Sequence, residues 1–198
     1  MKLPNGYGSI TKLSGNRRKP WIPFSESEIN KLWSMADNWD VKVLLILLYS
    51  GMRVNELLKN NQENVNLEER WIYVPGELAK NKESVRYVPI HDKTYDLVKW
   101  FVDNSKKHDN EKLMLNPSGT VITYNNFLAR NLARINKVME HPHKCHDARH
   151  TFASRGTAAG IPELYMQRIM EHTPKSILYN TYTHITMPEL LDWINRIP

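Results

Sequence analysis

The sequence contains a single cysteine, Cys145, among its 198 residues. One cysteine excludes an internal disulfide, so the chain is not one of the small secreted domains that disulfides hold together. Its longest apolar run, residues 43–49, is far too short to span a bilayer. The N-terminus also lacks the apolar core of a signal peptide. We therefore expect an intracellular, cytoplasmic protein with no membrane partner.

The sequence also lacks the patterns of metal-binding proteins. It has no carboxylate cluster and no Cys/His set with metal-ligand spacing, so we expect no metal and no other cofactor. Internal repeats and low-complexity tracts are missing as well. A chain that is 41% hydrophobic at this length is able to bury a core as one domain. Its formal charge of +6 and pI of about 9.3 favour a polyanionic partner such as nucleic acid.

The first half of the chain predicts three helices and a hairpin. Ser25 followed by Glu28 is a capping-box pattern that predicts a helix through residue 35. The apolar residues 41–49 predict a buried helix, which Gly51 would cap, and a short helix over 54–59 follows. The runs WIYVPG and VRYVPI are rich in β-branched and aromatic residues, and the polar segment AKNKES separates them. Residues 65–90 therefore predict a β-hairpin.

The second half is predicted to be helical. Apolar periodicity and breaker residues place helices over 94–107, 125–139, 144–159, 163–170 and 188–195, with Gly160 and Pro162 separating two of them. The expected fold class is mostly α with a small antiparallel β-sheet (α+β). Residues 21–198 form the expected domain, whereas residues 1–20 are rich in Gly, Asn and basic residues and differ in character.

Five segments contain residues suited to phosphoryl-transfer chemistry. They are SGMRVNELL (residues 50–58), AKNKES (79–84), HDARHTFAS (146–154), IMEHTP (169–174) and NTYTHIT (180–186). None of them is specific alone, because short His, Arg or Lys patterns recur by chance. Their order along the chain is far more informative than any single segment.

In this order, the five segments resemble the tyrosine recombinase (phage-integrase) family over residues 23–198. In that family an arginine follows a small-Gly-apolar turn, a lysine lies on a β-hairpin, and an H-x-x-R-H-T-F-A helix comes next. A His or Trp and then a tyrosine nucleophile complete the set. The resemblance implies the fold of the tyrosine recombinase catalytic domain. It also implies metal-independent cleavage and rejoining of double-stranded DNA through a covalent 3′-phosphotyrosine.

The resemblance assigns six catalytic residues, which are Arg53, Lys80, His146, Arg149, His172 and Tyr182. Phosphoryl transfer builds charge on the non-bridging oxygens, which the two guanidinium groups are able to meet bidentately. A phenol is a poor nucleophile at neutral pH, so a base such as His146 should accept the proton of Tyr182. The departing 5′-oxygen needs a proton, and Lys80 is the candidate donor.

Two of these assignments have competitors in the sequence. Lys82 shares the hairpin tip with Lys80, and the register against VRYVPI favours Lys80. Tyr179 competes with Tyr182, which the Tyr-Thr-His context favours. His172 follows Glu171 where the family usually has glycine, so its placement departs from the family pattern.

Three further residues in or near these segments are predicted to have structural roles. We interpret His150 as a structural neighbour of the site, Tyr165 as a core residue and Cys145 as a small buried apolar residue.

The resemblance extends to assembly. Residues 1–20 resemble the opening of the arm-binding domain of conjugative-transposon integrases, and we expect the helical core-binding domain that follows it there to be absent from this sequence. The family also implies a homo-oligomer, a tetramer on DNA, and a monomer when free. Residues 188–195 predict an amphipathic helix that in the family docks on a neighbouring subunit, and docking on its own domain is the alternative. A type IB topoisomerase-like activity and a non-catalytic DNA-binding regulator are the alternative functions.

Overall fold

The computed structural model describes residues 21–78, 85–170 and 185–198. The hairpin tip with Lys80 and Lys82, and the segment with His172, Tyr179 and Tyr182, lie outside the described residues, as do residues 1–20. The helices are α1 (Glu26–Ser34), α2 (Trp39–Ser50), α3 (Val54–Leu58), α4 (Tyr95–Lys107), α5 (Tyr124–Asn126), α6 (Ala133–Asn136), α7 (Cys145–Ala158), α8 (Glu163–Met170) and α9 (Met187–Ile194). Short 3₁₀ turns cover Gln62–Asn64 and Asp92–Thr94.

The predicted hairpin is part of a three-stranded antiparallel sheet. Strands β1 (Val65–Asn66), β2 (Trp71–Val74) and β3 (Arg86–Pro89) lie in the order β1-β2-β3. The sequence analysis identified β2 and β3 and missed β1 as a strand of its own. A two-residue strand shows no period-2 alternation, which explains the omission. The fold class, mostly helical with a small antiparallel sheet, is confirmed.

The helix start and stop signals in the first half of the chain are confirmed. The Ser25 hydroxyl accepts a bond from the Glu28 N–H, and the Glu28 carboxylate accepts one from the Ser25 N–H, so α1 begins with a capping box. Helix α2 ends at Gly51, whose φ of 64° is the left-handed conformation that glycine adopts without strain. Helix α2 begins at Trp39, two residues before the apolar run from which it was predicted. The two additional residues, Trp39 and Asp40, are part of its first turn.

Helix α2 is the centre of the hydrophobic core. Its residues from Val43 to Tyr49 are all essentially inaccessible to solvent. Helix α7 packs against it so closely that a β-carbon on Gly51 would lie 2.5 Å from Cδ1 of Phe152. This contact fixes the α2–α3 corner against the middle of α7. Within the described ranges, no helix combines the length and apolar character that crossing a membrane requires.

The helix predicted over residues 125–139 contains an irregularity that the sequence did not indicate. Helix α5 continues through a π-helical stretch (Phe127–Leu132) into α6, which ends at Asn136. Phe127, Leu132 and Ile135 are buried, so the widened turn keeps apolar side chains directed at the core. π-Helical turns often occur at functional sites, and this one borders the groove described below.

Helix α9 packs on its own domain. Leu190, Ile194 and Ile197 are buried in the core, and the backbone carbonyl of Ile197 accepts a bond from His91 at 3.0 Å. Burial lowers the pKa of His91 to about 4, so the ring is neutral; its Nδ1 accepts from the Lys93 N–H and its Nε2 donates to Ile197. Of the two predicted positions for this helix, the structure shows the intramolecular one.

Candidate active site

Arg53 lies at the corner between α2 and α3. It is the N-cap residue of α3, and its side chain is about one quarter exposed. Its guanidinium donates to Oε1 of Glu56 at 2.7 Å, and its backbone N–H donates to Oε2 of the same carboxylate at 2.9 Å. Because Glu56 is one helical turn further along, the start of α3 itself holds the arginine in place.

Glu56 also binds a second arginine, which comes from the sheet. The Arg86 Nη2 atom lies 2.7 Å from Oε2 of Glu56, and both side chains are almost completely buried. Arg86 additionally donates from Nε to the carbonyl of Ile169 at 2.8 Å, near the end of α8. Burial alone would raise the pKa of Glu56, but the bonds and charge of Arg86 and the donors of Arg53 lower it overall. Glu56 is therefore a buried carboxylate shared by two arginines.

Arg149 crosses from α7 to the same corner. Its Nη1 donates to the carbonyl of Gly51 at 2.6 Å, and its Nη2 donates to the carbonyl of Met170. A guanidinium carries five N–H donors, so these two bonds leave part of its donor capacity for a ligand. Burial, followed by the charges of Arg53 and Arg86, lowers the pKa of Arg149 to about 10. Three guanidinium groups thus influence one another in a small volume.

The resulting cluster is strongly positive. Its members among the described residues are Arg53, Arg86, Arg149 and Glu56, so three cations meet one carboxylate. Burying cations together is unfavourable unless an anion binds between them. The arrangement therefore suits an oxyanion with more than one charged oxygen, as a phosphodiester has during transfer.

His146 lies beside this cluster, in the first turn of α7, where it remains accessible to solvent. Partial burial lowers its pKa from the ordinary 6.5, and the charges of His150, Arg149 and Arg53 lower it further. The His150 ring meets the His146 ring edge-on at 4.7 Å and stacks on Trp21 at 4.8 Å. His146 is thus a neutral imidazole at physiological pH. His150 holds one side of it, as the sequence analysis expected of a structural neighbour.

A groove of about 690 Å³ opens next to Arg53 and His146. One wall is polar, with Lys144 beside these two residues. The other wall is apolar and comes largely from α5, the π-helical stretch and α6, together with Leu78 at the base of the hairpin. The groove therefore joins a positively charged end to an extended surface on which a larger ligand can lie.

Cys145 lies on the floor of this groove but has no suitable ionisation. Burial, with the neighbouring Asp147 charge, raises its pKa to about 12, so the thiol is protonated at neutral pH. The expectation of a small buried apolar residue is confirmed. In the part of the chain that the structure describes, no three His, Cys, Asp or Glu side chains come together as a possible metal site.

The structure thus brings together the three assigned residues that it describes, Arg53, His146 and Arg149. Lys80, His172 and Tyr182 lie outside the described residues, and their assignments stay predictions. Both Arg86 and Arg149 bind carbonyls at the end of α8, directly before the segment that contains His172.

Glu56 and Arg86 were not identified as site residues from the sequence. Glu56 follows Arg53 by three residues, and Arg86 alternates with the buried Val88 on the inward face of β3. A charged residue at an inward strand position is the signal that identifies Arg86, because an arginine is rarely buried without a partner.

Comparisons with known proteins show the family and the fold of this chain. The sequence profile of the Phage integrase family matches residues 23–189. The tyrosine recombinase XerA of Pyrococcus horikoshii is 28% identical over 198 residues, covering 90% of this chain and 64% of that protein. XerA of Saccharolobus solfataricus is 29% identical over 175 residues, covering 88% and 56% respectively. The chain therefore spans less than two thirds of the length of these relatives.

Solved structures show the same fold. The integrase from mycobacterium phage Brujita superposes with a TM-score of 0.71 at 17% identity, covering 93% of this chain and 60% of that one. The Tn1549 transposon integrase, in complex with transposon right end DNA, superposes with a TM-score of 0.66 at 22% identity, covering 92% and 68%. With a family profile that matches most of the sequence and a fold shared with two integrases, this chain belongs to the phage integrase family.

Proposed function

We propose that this chain is the catalytic domain of a site-specific tyrosine recombinase, over residues 21–198, and that it cleaves and rejoins double-stranded DNA. The observation that carries the proposal is the buried cluster of Arg53, Arg86 and Arg149 around Glu56, with the neutral His146 at its edge. Relatives named as recombinases, and the integrase solved on transposon DNA, favour recombination over the two alternative functions.

In this proposal, Arg53 and Arg149 hold the scissile phosphate. Both guanidinium groups are anchored by protein bonds, Arg53 through Glu56 and Arg149 through the carbonyl of Gly51. Anchored donors need no reorganisation when charge develops on the non-bridging oxygens. The arginines thereby supply the charge stabilisation that a divalent metal supplies in other phosphoryl-transfer enzymes.

Proton transfers complete the reaction. The Tyr182 oxygen attacks phosphorus as the neutral His146 accepts its proton, and a 3′-phosphotyrosine forms. The bond to the 5′-oxygen breaks, and Lys80 protonates this leaving group, with Lys82 as the alternative donor. His172 is assigned to the phosphate as a further donor. Attack by a 5′-hydroxyl on the phosphotyrosine then reverses these steps and rejoins a strand.

The proposed partner is double-stranded DNA, bound by a homo-oligomer that is a tetramer on DNA and a monomer when free. The groove next to Arg53 and His146 provides a path for the DNA backbone away from the reacting phosphate. The chain's formal charge of +6 supports the same partner.

Trapping a covalent intermediate tests the proposed function. The probe is a pool of nicked duplexes, randomised in sequence around the nick, from which the short 5′-hydroxyl strand diffuses away after cleavage. We expect an SDS-resistant protein–DNA adduct that forms in excess EDTA and maps to Tyr182. An absolute need for added magnesium, or DNA binding without any adduct, would contradict the proposal.

The pH dependence of adduct formation tests the role of His146. Because the pKa of His146 in the free protein is below 6.5, more than half of its imidazole is neutral at that pH, and the rate at subsaturating DNA, which reports the free protein, should have its midpoint below 6.5. His146→Gln should lower the rate on the order of 10²-fold or more and remove this titration. The measurement is the single-turnover rate of adduct formation from pH 5 to 8. A midpoint above 6.5, or an unchanged profile in His146→Gln, would exclude His146 as the base.

A further inference from the structure

We propose that Arg86 is a positioning residue for phosphoryl transfer, which acts through Glu56 to keep Arg53 directed at the phosphate. The inference rests on the proposed function and assigns a role to a residue outside the six catalytic assignments. Arg86 comes from β3 and meets the same carboxylate that holds Arg53 at the start of α3.

The geometry of the carboxylate is the first argument. Oε1 of Glu56 lies 2.7 Å from Nη1 of Arg53 and 3.4 Å from Nη1 of Arg86, whereas Oε2 lies 2.7 Å from Nη2 of Arg86. The Arg53 backbone N–H also donates to Oε2 at 2.9 Å, so the two arginines share both carboxylate oxygens. Without Arg86, a buried Glu56 would have Arg53 and Arg149 as its neighbouring cations, and it would bind the guanidinium groups that the phosphate needs.

The formal charges give the second argument. Removing Arg86 lowers the positive charge around Glu56 by one. Attack on a phosphodiester places additional negative charge on the non-bridging oxygens. Loss of a positive charge therefore destabilises the transition state more than it destabilises the complex with uncleaved DNA. Arg86 should thus affect the rate of cleavage more than the affinity for DNA.

The anchoring of Arg86 is the third argument. Its Nε donates to the Ile169 carbonyl, while Arg149 donates to the carbonyl of Met170, the next residue. The C-terminal end of α8 is therefore bound both by Arg149, which holds the phosphate in the proposed function, and by Arg86, which pairs with Glu56. This shared anchor fixes the distance between β3 and α7 across the site.

A charge-balanced double variant separates this role from a structural one. Arg86→Met leaves Glu56 to pair with Arg53 and Arg149, and we expect adduct formation at saturating DNA to slow about 100-fold, with the DNA dissociation constant changed less than about threefold. Glu56→Gln combined with Arg86→Met removes one cation and one anion together, so the net charge equals that of the wild type. We expect this double variant to regain a rate within about tenfold of the wild type.

A second readout uses the substrate. A methylphosphonate at the scissile position carries one negative charge fewer, so the deficit of Arg86→Met should shrink at least tenfold on this substrate. A purely structural defect would slow both substrates equally, and the double variant would be no faster than Arg86→Met. Either result would overturn the proposal.

Two controls keep the outcomes distinct. If thermal denaturation shows that Arg86→Met is unfolded, the double variant decides, because it removes one cation and one anion together; a rate more than about tenfold below the wild type would then refute the role. If the wild-type protein forms no adduct, the proposed function itself fails. If the wild type reacts and Arg86→Met is equally fast, only the role of Arg86 is refuted.

Discussion

Replacing Tyr182 by phenylalanine is expected to abolish the covalent adduct while leaving DNA binding within about twofold of the wild type. The substitution removes one hydroxyl, which is the nucleophile in the proposed reaction, and a phenyl ring has no oxygen with which to attack phosphorus. The aromatic ring is retained, so the other contacts of the side chain with protein and DNA are expected to change little. The measurement is adduct formation on a nicked duplex, with binding followed by fluorescence anisotropy.

Tyr179→Phe is the matched control, because Tyr179 lies three residues away in the same segment. It should retain adduct formation within about threefold, because it leaves the proposed nucleophile Tyr182 in place. Loss of the adduct in Tyr179→Phe together with its retention in Tyr182→Phe would assign the nucleophile to Tyr179. Peptide mapping of the trapped adduct provides an independent answer.

Removing residues 188–198 is expected to unfold the domain at physiological temperature. Three side chains of this segment, Leu190, Ile194 and Ile197, are at most 3% exposed, and burial of each contributes about 2 kcal/mol. Their sum is comparable to the whole stability of a typical domain, about 5–15 kcal/mol. The truncation would also remove the carbonyls that bind His91 and Tyr49. Of the two docking positions that the sequence left open for this helix, packing on its own domain is the one that leads to this expectation.

Point variants measure the same effect without deleting the segment. Ile194 is fully buried, so Ile194→Ala should lower the free energy of unfolding by about 2–4 kcal/mol. Asp192 lies on the exposed side of the same helix, and Asp192→Ala should change the free energy of unfolding by less than about 0.5 kcal/mol. Urea denaturation followed by circular dichroism provides the comparison. Equal, small effects in both variants would show that α9 is detached from the domain in solution.

The boundaries of the regular elements followed largely from local sequence. Capping by Ser25 and Glu28, and by Gly51, depends on residues that are neighbours along the chain, and the structure confirms these signals. The two long strands were also identified, because their alternation of side chains extends over several residues. The exceptions were β1 and the π-helical stretch, which are too short or too irregular to produce a period.

The sequence by itself also determined the family, because ordered segments such as SGMRVNELL and HDARHTFAS are specific as a set even where each is weak. Only the tertiary structure showed that Arg86 of β3 and Glu56 of α3 belong to the same cluster as Arg53 and Arg149, since ion pairs between distant elements leave no local pattern. It also decided where α9 packs. An amphipathic stripe indicates that a helix buries one face, but the surface that covers it depends on which apolar sites the rest of the fold leaves open, and here these lie on its own core.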